Sequence, residues 1–105
     1  SMVGVPPERI EPAVREVARY QVLFAHFRPV FLLDQPEFAA TRQFRYPTEL
    51  LVHRSEWDFP DTTWLQYASR RLSQITRHYN AAAVVEIPPE GVTDAIRMVL
   101  GGRRR

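Results

Sequence analysis

The clearest hydrophobic pattern of the chain lies in residues 64–79. Apolar and aromatic side chains recur there at spacings of three and four, which predicts an amphipathic helix. The stripe consists of Trp64, Ala68, Leu72, Ile75 and Tyr79. After Asn80 comes Ala82–Ile87, a short apolar run without helical spacing. Such a run is typical of a parallel strand that is covered on both faces.

The rest of the chain predicts three more helices and two more strands. A helix begins near Glu8 or Pro12 and stops around residues 26–28, because Pro29 disfavours helical geometry in the residue before it. Two strands are predicted from continuous apolar runs, with a short helix between them that starts with a proline. The two strands are Val30–Leu33 and Thr48–His53, the short helix is Pro36–Phe44, and the last helix is Val92–Leu100.

The predicted order of elements is α-β-α-β-α-β-α, which favours a parallel sheet because each strand reaches the next through a helix. We therefore expect one α/β domain over residues 1–105, with flexible ends at 1–7 and 101–105. Its architecture is predicted as a three-layer sandwich around a small three-stranded parallel sheet. Such a sheet leaves two edges unpaired, so we expect one edge to be capped by a loop or paired with a second copy.

Composition excludes several classes of site. The chain has 105 residues and no cysteine, so disulfides and thiolate chemistry are absent. The lack of cysteine is consistent with a cytoplasmic location. No apolar run approaches the roughly 20 residues that span a bilayer, so no membrane span is expected.

The charge pattern does not favour nucleic acid as a partner. All 14 basic residues are arginines and face 12 acidic residues, and three of the arginines are Arg103, Arg104 and Arg105. Without this tail the chain is close to neutral. The final helix–strand–helix pattern suggests an RNA-binding domain of the KH kind, but the GxxG loop that clamps the RNA backbone is missing.

Candidate ligand-binding residues lie where the predicted strands end, because parallel sheets bind ligands outside the carboxyl ends of their strands. Asp34 could hold a ribose or a metal, or it could cap the following helix. His53 and Glu56 could form an acid–base pair, or they could be solvated loop residues. The full candidate set is Asp34, His53, Arg54, Glu56 and Glu86. We assign none of them a catalytic role.

No cofactor or metal site is predicted, because the chain has no glycine-rich phosphate loop and neither His26 nor His78 has a companion at ligand spacing. An aromatic cluster surrounds the loop before the long helix. Its members are Trp57, Phe59 and Trp64. Such residues could stack on a sugar or a base, close one end of the core, or contact a partner chain.

Four segments of the chain resemble a known type of domain. They are Pro29–Asp34 (PVFLLD), Tyr46–Val52 (YPTELLV), Arg54–Trp57 (RSEW) and Arg77–Val85. Together they are similar to Rossmann-like domains of actinobacterial glycosyltransferases and associated proteins. This resemblance implies a nucleotide-sugar or cell-envelope context.

Two functions from different classes follow from these patterns. The first is a non-catalytic interaction or accessory module that self-associates through a sheet edge or the aromatic loop, or binds another protein. The second is the Rossmann-like half of a glycosyltransferase that uses a nucleotide sugar.

Overall fold

The computed structural model describes residues 1–24 and 27–101. Its four helices and two strands in the described residues follow the predicted order up to the long helix. They are α1 (Pro7–Phe24), β1 (Phe31–Leu33), α2 (Ala39–Gln43), β2 (Thr48–Leu50), α3 (Trp64–His78) and α4 (Asp94–Leu100), with a single 3-10 turn at Arg54–Glu56. The expected flexible end at 101–105 and the predicted end of α1 at 26–28 fall partly outside the described residues.

The sheet consists of β1 and β2, which run parallel with Phe31 beside Thr48 and Leu33 beside Leu50. Helix α2 connects them, as the predicted β-α-β order requires. Both strands are shorter than predicted. In β2, regular pairing stops at Leu50, and the chain turns after His53. The sheet is therefore a minimal parallel pair.

The predicted three-stranded sandwich is wrong, because Ala82–Ile87 does not form a strand in the structure. Residues 81–84 are exposed to solvent. Alanine is a poor strand former, and its methyl group covers too little apolar surface to hold a strand against a helix layer. The apolar run alone therefore predicted one strand more than the sheet contains.

The N-terminal residues lie against β1, where the sheet could have continued. The backbone N–H of Met2 donates to the carbonyl of Leu32 at 2.8 Å. Ser1 in turn exchanges backbone hydrogen bonds with Val85 and Ile87. Met2 is 0% exposed, so this segment is part of the core, in contrast to the flexible end expected for residues 1–7.

Helices cover both faces of the sheet, and alternate residues of β1 point to opposite faces. Phe31 and Leu33 pack into a cluster with α1, α2 and α4, whereas Leu32 packs with α3. Helices α2 and α3 therefore lie on opposite faces of the sheet. The larger cluster includes Val5, Ile10, Val14, Val17, Ala40, Ile87, Ile96 and Leu100.

Helix α3 has well-defined ends that explain its length. Thr63 accepts a hydrogen bond from the backbone N–H of Gln66, and the Gln66 side chain accepts one from the backbone N–H of Thr63. This capping box satisfies the backbone N–H groups of both residues. At the other end Asn80 adopts a positive φ of 51°, a conformation that asparagine tolerates better than most residues. These two features define where α3 begins and ends.

We predict that Met2→Ala will lower the free energy of unfolding by about 2–5 kcal/mol, because it leaves a cavity in the core. The matched control is Val84→Ala, in the segment that was expected to form a strand. Val84 is 45% exposed, so its truncation should cost no more than about 0.5 kcal/mol. Urea denaturation of the two variants measures both values, and a larger loss for Val84→Ala would contradict this core.

Candidate functional site

The structure brings Asp34 and His53 together at the carboxyl ends of the strands. Asp34 follows β1 directly, and His53 follows β2 by three residues. The Nε2 atom of His53 lies 3.9 Å from Oδ2 of Asp34. The expectation that strand ends gather polar side chains therefore identified two residues that are neighbours in space.

The Asp34 carboxylate is buried and incompletely bonded. The residue is 5% exposed, and Oδ2 accepts a hydrogen bond from the backbone N–H of Gly4 at 3.1 Å. Its other oxygen, Oδ1, is buried without a hydrogen-bond partner among the described residues. Leaving a buried acceptor unpaired costs about 1–3 kcal/mol and more for a charged group. Asp34 does not cap α2, which begins after Phe38 without a side-chain cap.

The ring of His53 has a defined orientation because it caps the 3-10 turn. Its Nδ1 accepts the backbone N–H of Ser55 at 3.1 Å, and the Ser55 hydroxyl lies 2.7 Å from the same nitrogen. Since Nδ1 is an acceptor, the neutral ring carries its proton on Nε2, on the side of Asp34. The pair can thus present a carboxylate and a ring N–H to one ligand group.

The other three predicted ligand residues lie apart from this pair. The guanidinium of Arg54 lies over the ring of Trp64, 5.3 Å from the ring centroid. Glu56 ends the 3-10 turn and is exposed. Glu86 is exposed beside the amino group of Ser1, where its charge opposes the lowering of that group's pKa by burial.

The predicted aromatic cluster is divided between two sets of contacts. Trp57 stacks on Tyr67 with ring centroids 4.6 Å apart and contacts Phe59 at 4.7 Å. The indole N–H of Trp57 donates to the carbonyl of Thr62. Trp64 lies elsewhere, with its indole N–H donating to the carbonyl of Val52 at 2.7 Å. Most of this aromatic surface therefore serves internal contacts, although Phe59 remains 63% exposed.

The outer edge of β2 is open over two residues. Backbone groups of Pro47 and Leu51 bond to β1, so those of Thr48 and Leu50 point the other way. Among the described residues, no hydrogen bond reaches the backbone N–H or C=O of either at this edge. The side chain of Leu50 is also 44% exposed beside it. This edge combines unpaired backbone groups with apolar surface.

A polar network outside the predicted site residues lies on the α3 side of β2. Glu49 accepts one hydrogen bond from Arg71 and one from the Tyr79 hydroxyl, each at 2.7 Å. These three residues and Gln74, Ile75 and His78 line a surface depression of about 350 Å³. Arg71, Ile75 and Tyr79 follow one another at intervals of four residues. That spacing on the buried stripe was the signal that could have placed Arg71 beside the sheet.

The hydrogen bonds of this network shift two pKa values in opposite directions. The Tyr79 hydroxyl and, less strongly, Arg71 hold the pKa of Glu49 below its ordinary value of 4.5. The same bond raises the pKa of Tyr79 above its ordinary value of 10.0. The network therefore links β2 to α3 most strongly with Glu49 ionised and Tyr79 protonated.

Comparisons with known proteins do not place the chain in a family. No protein-family model matches it, and neither the curated proteins nor the solved structures yield a significant match. In the described ranges 1–24 and 27–101, no three histidine, aspartate or glutamate side chains are grouped as a metal ion would require. Nor does any helix in these ranges have the length and apolarity needed to cross a membrane.

We predict that Tyr79→Phe will lower the free energy of unfolding by about 1 kcal/mol near neutral pH, because it removes one hydrogen bond to a carboxylate. The loss should shrink below about pH 4.5, as the unfolded and then the folded Glu49 takes up a proton. It should also shrink above about pH 10, as the unfolded and then the folded Tyr79 loses one.

The matched control for this prediction is Tyr20→Phe. The hydroxyl of Tyr20 makes no hydrogen bond to any residue that the structure describes, so its removal should leave stability nearly unchanged at every pH. Urea denaturation from acid to alkaline pH measures both variants. A pH-independent loss for Tyr79→Phe would show that the hydrogen bond to Glu49 does not stabilise the fold.

Proposed function

We propose that this protein is a self-associating interaction module and that it pairs through the outer edge of β2. The observation that carries the proposal is the open backbone of Thr48 and Leu50. Unpaired strand edges are templates for pairing with another chain unless they are blocked. Here the edge carries a half-exposed leucine and no proline or charge at either of its two open residues.

The size of the sheet supports the same function. Parallel sheets normally have more strands, and a pair of strands gains little stability by itself. Pairing with a further strand would satisfy four backbone groups and cover Leu50. The aromatic loop is less suited to this role, because the indole N–H groups of Trp57 and Trp64 are already bonded within the chain.

Leu50→Lys should convert the assembly to monomers, because edge lysines oppose strand pairing by charge and by solvation. The change should barely affect folding, since Leu50 is half exposed. Leu23→Lys, at the end of α1, is the matched control, because Leu23 is 61% exposed and far from β2 in the chain. Sedimentation velocity gives the mass of each variant. A monomeric wild type, or equal masses for the wild type and Leu50→Lys, would contradict the proposal.

A second candidate function is the binding of a nucleotide sugar at the strand ends, as half of a glycosyltransferase site. It is favoured by the buried Oδ1 of Asp34, which lacks a partner beside the oriented ring of His53. A sugar or ribose hydroxyl could donate to that oxygen if the surrounding side chains moved slightly. The resemblance in Pro29–Asp34 and Tyr46–Val52 favours the same ligand class.

UDP-glucose and GDP-mannose, with UDP and GDP alone, are the probes for this second function. A ligand at 100 times its dissociation constant should add about 2.7 kcal/mol of stability, which thermal unfolding detects. Asp34→Asn should abolish that ligand-induced shift, and Glu37→Gln, an exposed acid near the start of α2, should retain it. If none of the four compounds stabilises the wild type, this second function is contradicted for uridine and guanosine nucleotide sugars.

A further inference from the structure

The open part of the β2 edge is bounded on both sides. Tyr46 comes before it, with its N–H bonded to the carbonyl of Thr41 and its carbonyl bonded to the Thr48 hydroxyl. Val52 comes after it, with its N–H bonded to the Tyr67 hydroxyl and its carbonyl bonded to the Trp64 indole. An added strand can therefore pair only with Thr48 and Leu50.

We propose that a second copy of this chain occupies this edge through a two-fold axis at Glu49, an arrangement that rests on the proposed self-association. Under this axis Thr48 lies opposite Leu50 of the second copy, and Leu50 lies opposite its Thr48. Each such antiparallel pair exchanges two hydrogen bonds, so all four open groups of each chain are used. The product is a four-stranded sheet with the order β1-β2-β2-β1.

Other two-fold registers fit the edge less well. An axis at Leu50 would place Thr48 opposite Val52, whose backbone groups are already bonded to α3. An axis at Thr48 would place Leu50 opposite Tyr46, whose N–H and carbonyl are also taken. Only the axis at Glu49 matches all four open groups of each chain with open groups of the other. It also makes the two Leu50 side chains diagonal neighbours on one face of the sheet, within reach of each other.

The axis at Glu49 places two carboxylates next to each other. Residues in a non-hydrogen-bonded antiparallel pair have Cα atoms about 4.5 Å apart, so two free glutamates there would repel. In this protein each Glu49 is held by Arg71 and Tyr79 of its own α3. The Arg71 charge cancels that of Glu49, so the edge is close to neutral where the two copies meet. The network on α3 thus removes the repulsion that two uncompensated Glu49 carboxylates would cause at the axis.

Disulfide cross-linking tests the register directly, because the chain has no cysteine of its own. Glu49→Cys should form a disulfide-linked dimer under mild oxidation, since the Cα separation at the axis is within the range of a disulfide. The double variant Thr48→Cys/Leu50→Cys should also cross-link, and it leaves the Glu49 network intact. Leu50→Cys alone is the matched control and should not cross-link, because the two Leu50 positions are diagonal neighbours about 7–8 Å apart, too far for a disulfide.

The outcomes separate this register from self-association itself. Cross-linking of Leu50→Cys alone would move the axis to Leu50 and overturn the register, while leaving pairing through β2 in place. A dimeric wild type without any cross-linked variant would overturn pairing at this edge. A monomeric wild type would overturn both proposals.

A charge test addresses the role of Arg71. Arg71→Met should weaken the dimer at least about tenfold at low salt, because two uncompensated carboxylates then lie at the axis. Glu49→Gln/Arg71→Met removes both charges and should restore the affinity to within a few-fold of the wild type. Sedimentation equilibrium measures both constants. Equal affinities for Arg71→Met and the wild type, or no recovery in the double variant, would contradict the axis at Glu49.

Discussion

The structure depends on how a two-stranded parallel sheet satisfies its backbone groups. Each strand has only one neighbour in the sheet, so every second N–H and C=O group faces outward and needs a partner. On the β1 side, the N-terminal segment supplies the bond from Met2 to Leu32. On the β2 side, side chains of α3 supply the bonds at Val52. On the β2 edge, open groups remain at Thr48 and Leu50, and they define the surface on which the proposed function rests.

The same constraint shapes the strand-end site. Because the N-terminal segment lies along β1, its turn brings the N–H of Gly4 to the carboxylate of Asp34. Gly4 has a φ of 84°, a conformation that few side-chain-bearing residues adopt, so the residue type at this turn matters. The donor to Asp34 thus comes from a segment that no predicted helix or strand includes. The position of the N-terminal segment along β1 therefore both buries Asp34 and covers the β1 edge.

Local patterns predicted the long helix and the first strand, because both depend on short-range spacing. The rule for parallel strand ends placed Asp34 and His53 in one set of candidates with Arg54, Glu56 and Glu86, but it did not pair them. The missing third strand shows the limit of that approach. Residues 81–84 are apolar by composition but small, and a different segment, around Met2, had more surface to bury beside the sheet. The Glu49–Arg71–Tyr79 network was missed for a related reason. Its members are up to 30 residues apart in the chain, and only the packing of α3 on β2 brings them together.

The two proposed functions use different parts of β2, so one does not exclude the other. Self-association uses the outer edge at Thr48 and Leu50, whereas a ligand at Asp34 and His53 lies beyond the carboxyl end of the strands. Two copies of β2 paired antiparallel have their carboxyl ends pointing in opposite directions, so the two Asp34–His53 pairs lie at opposite ends of the joined sheet. The dimer therefore has two separate strand-end sites, and each site keeps the Asp34 and His53 of its own chain. The assembly would therefore serve to complete the sheet, not to build the strand-end site.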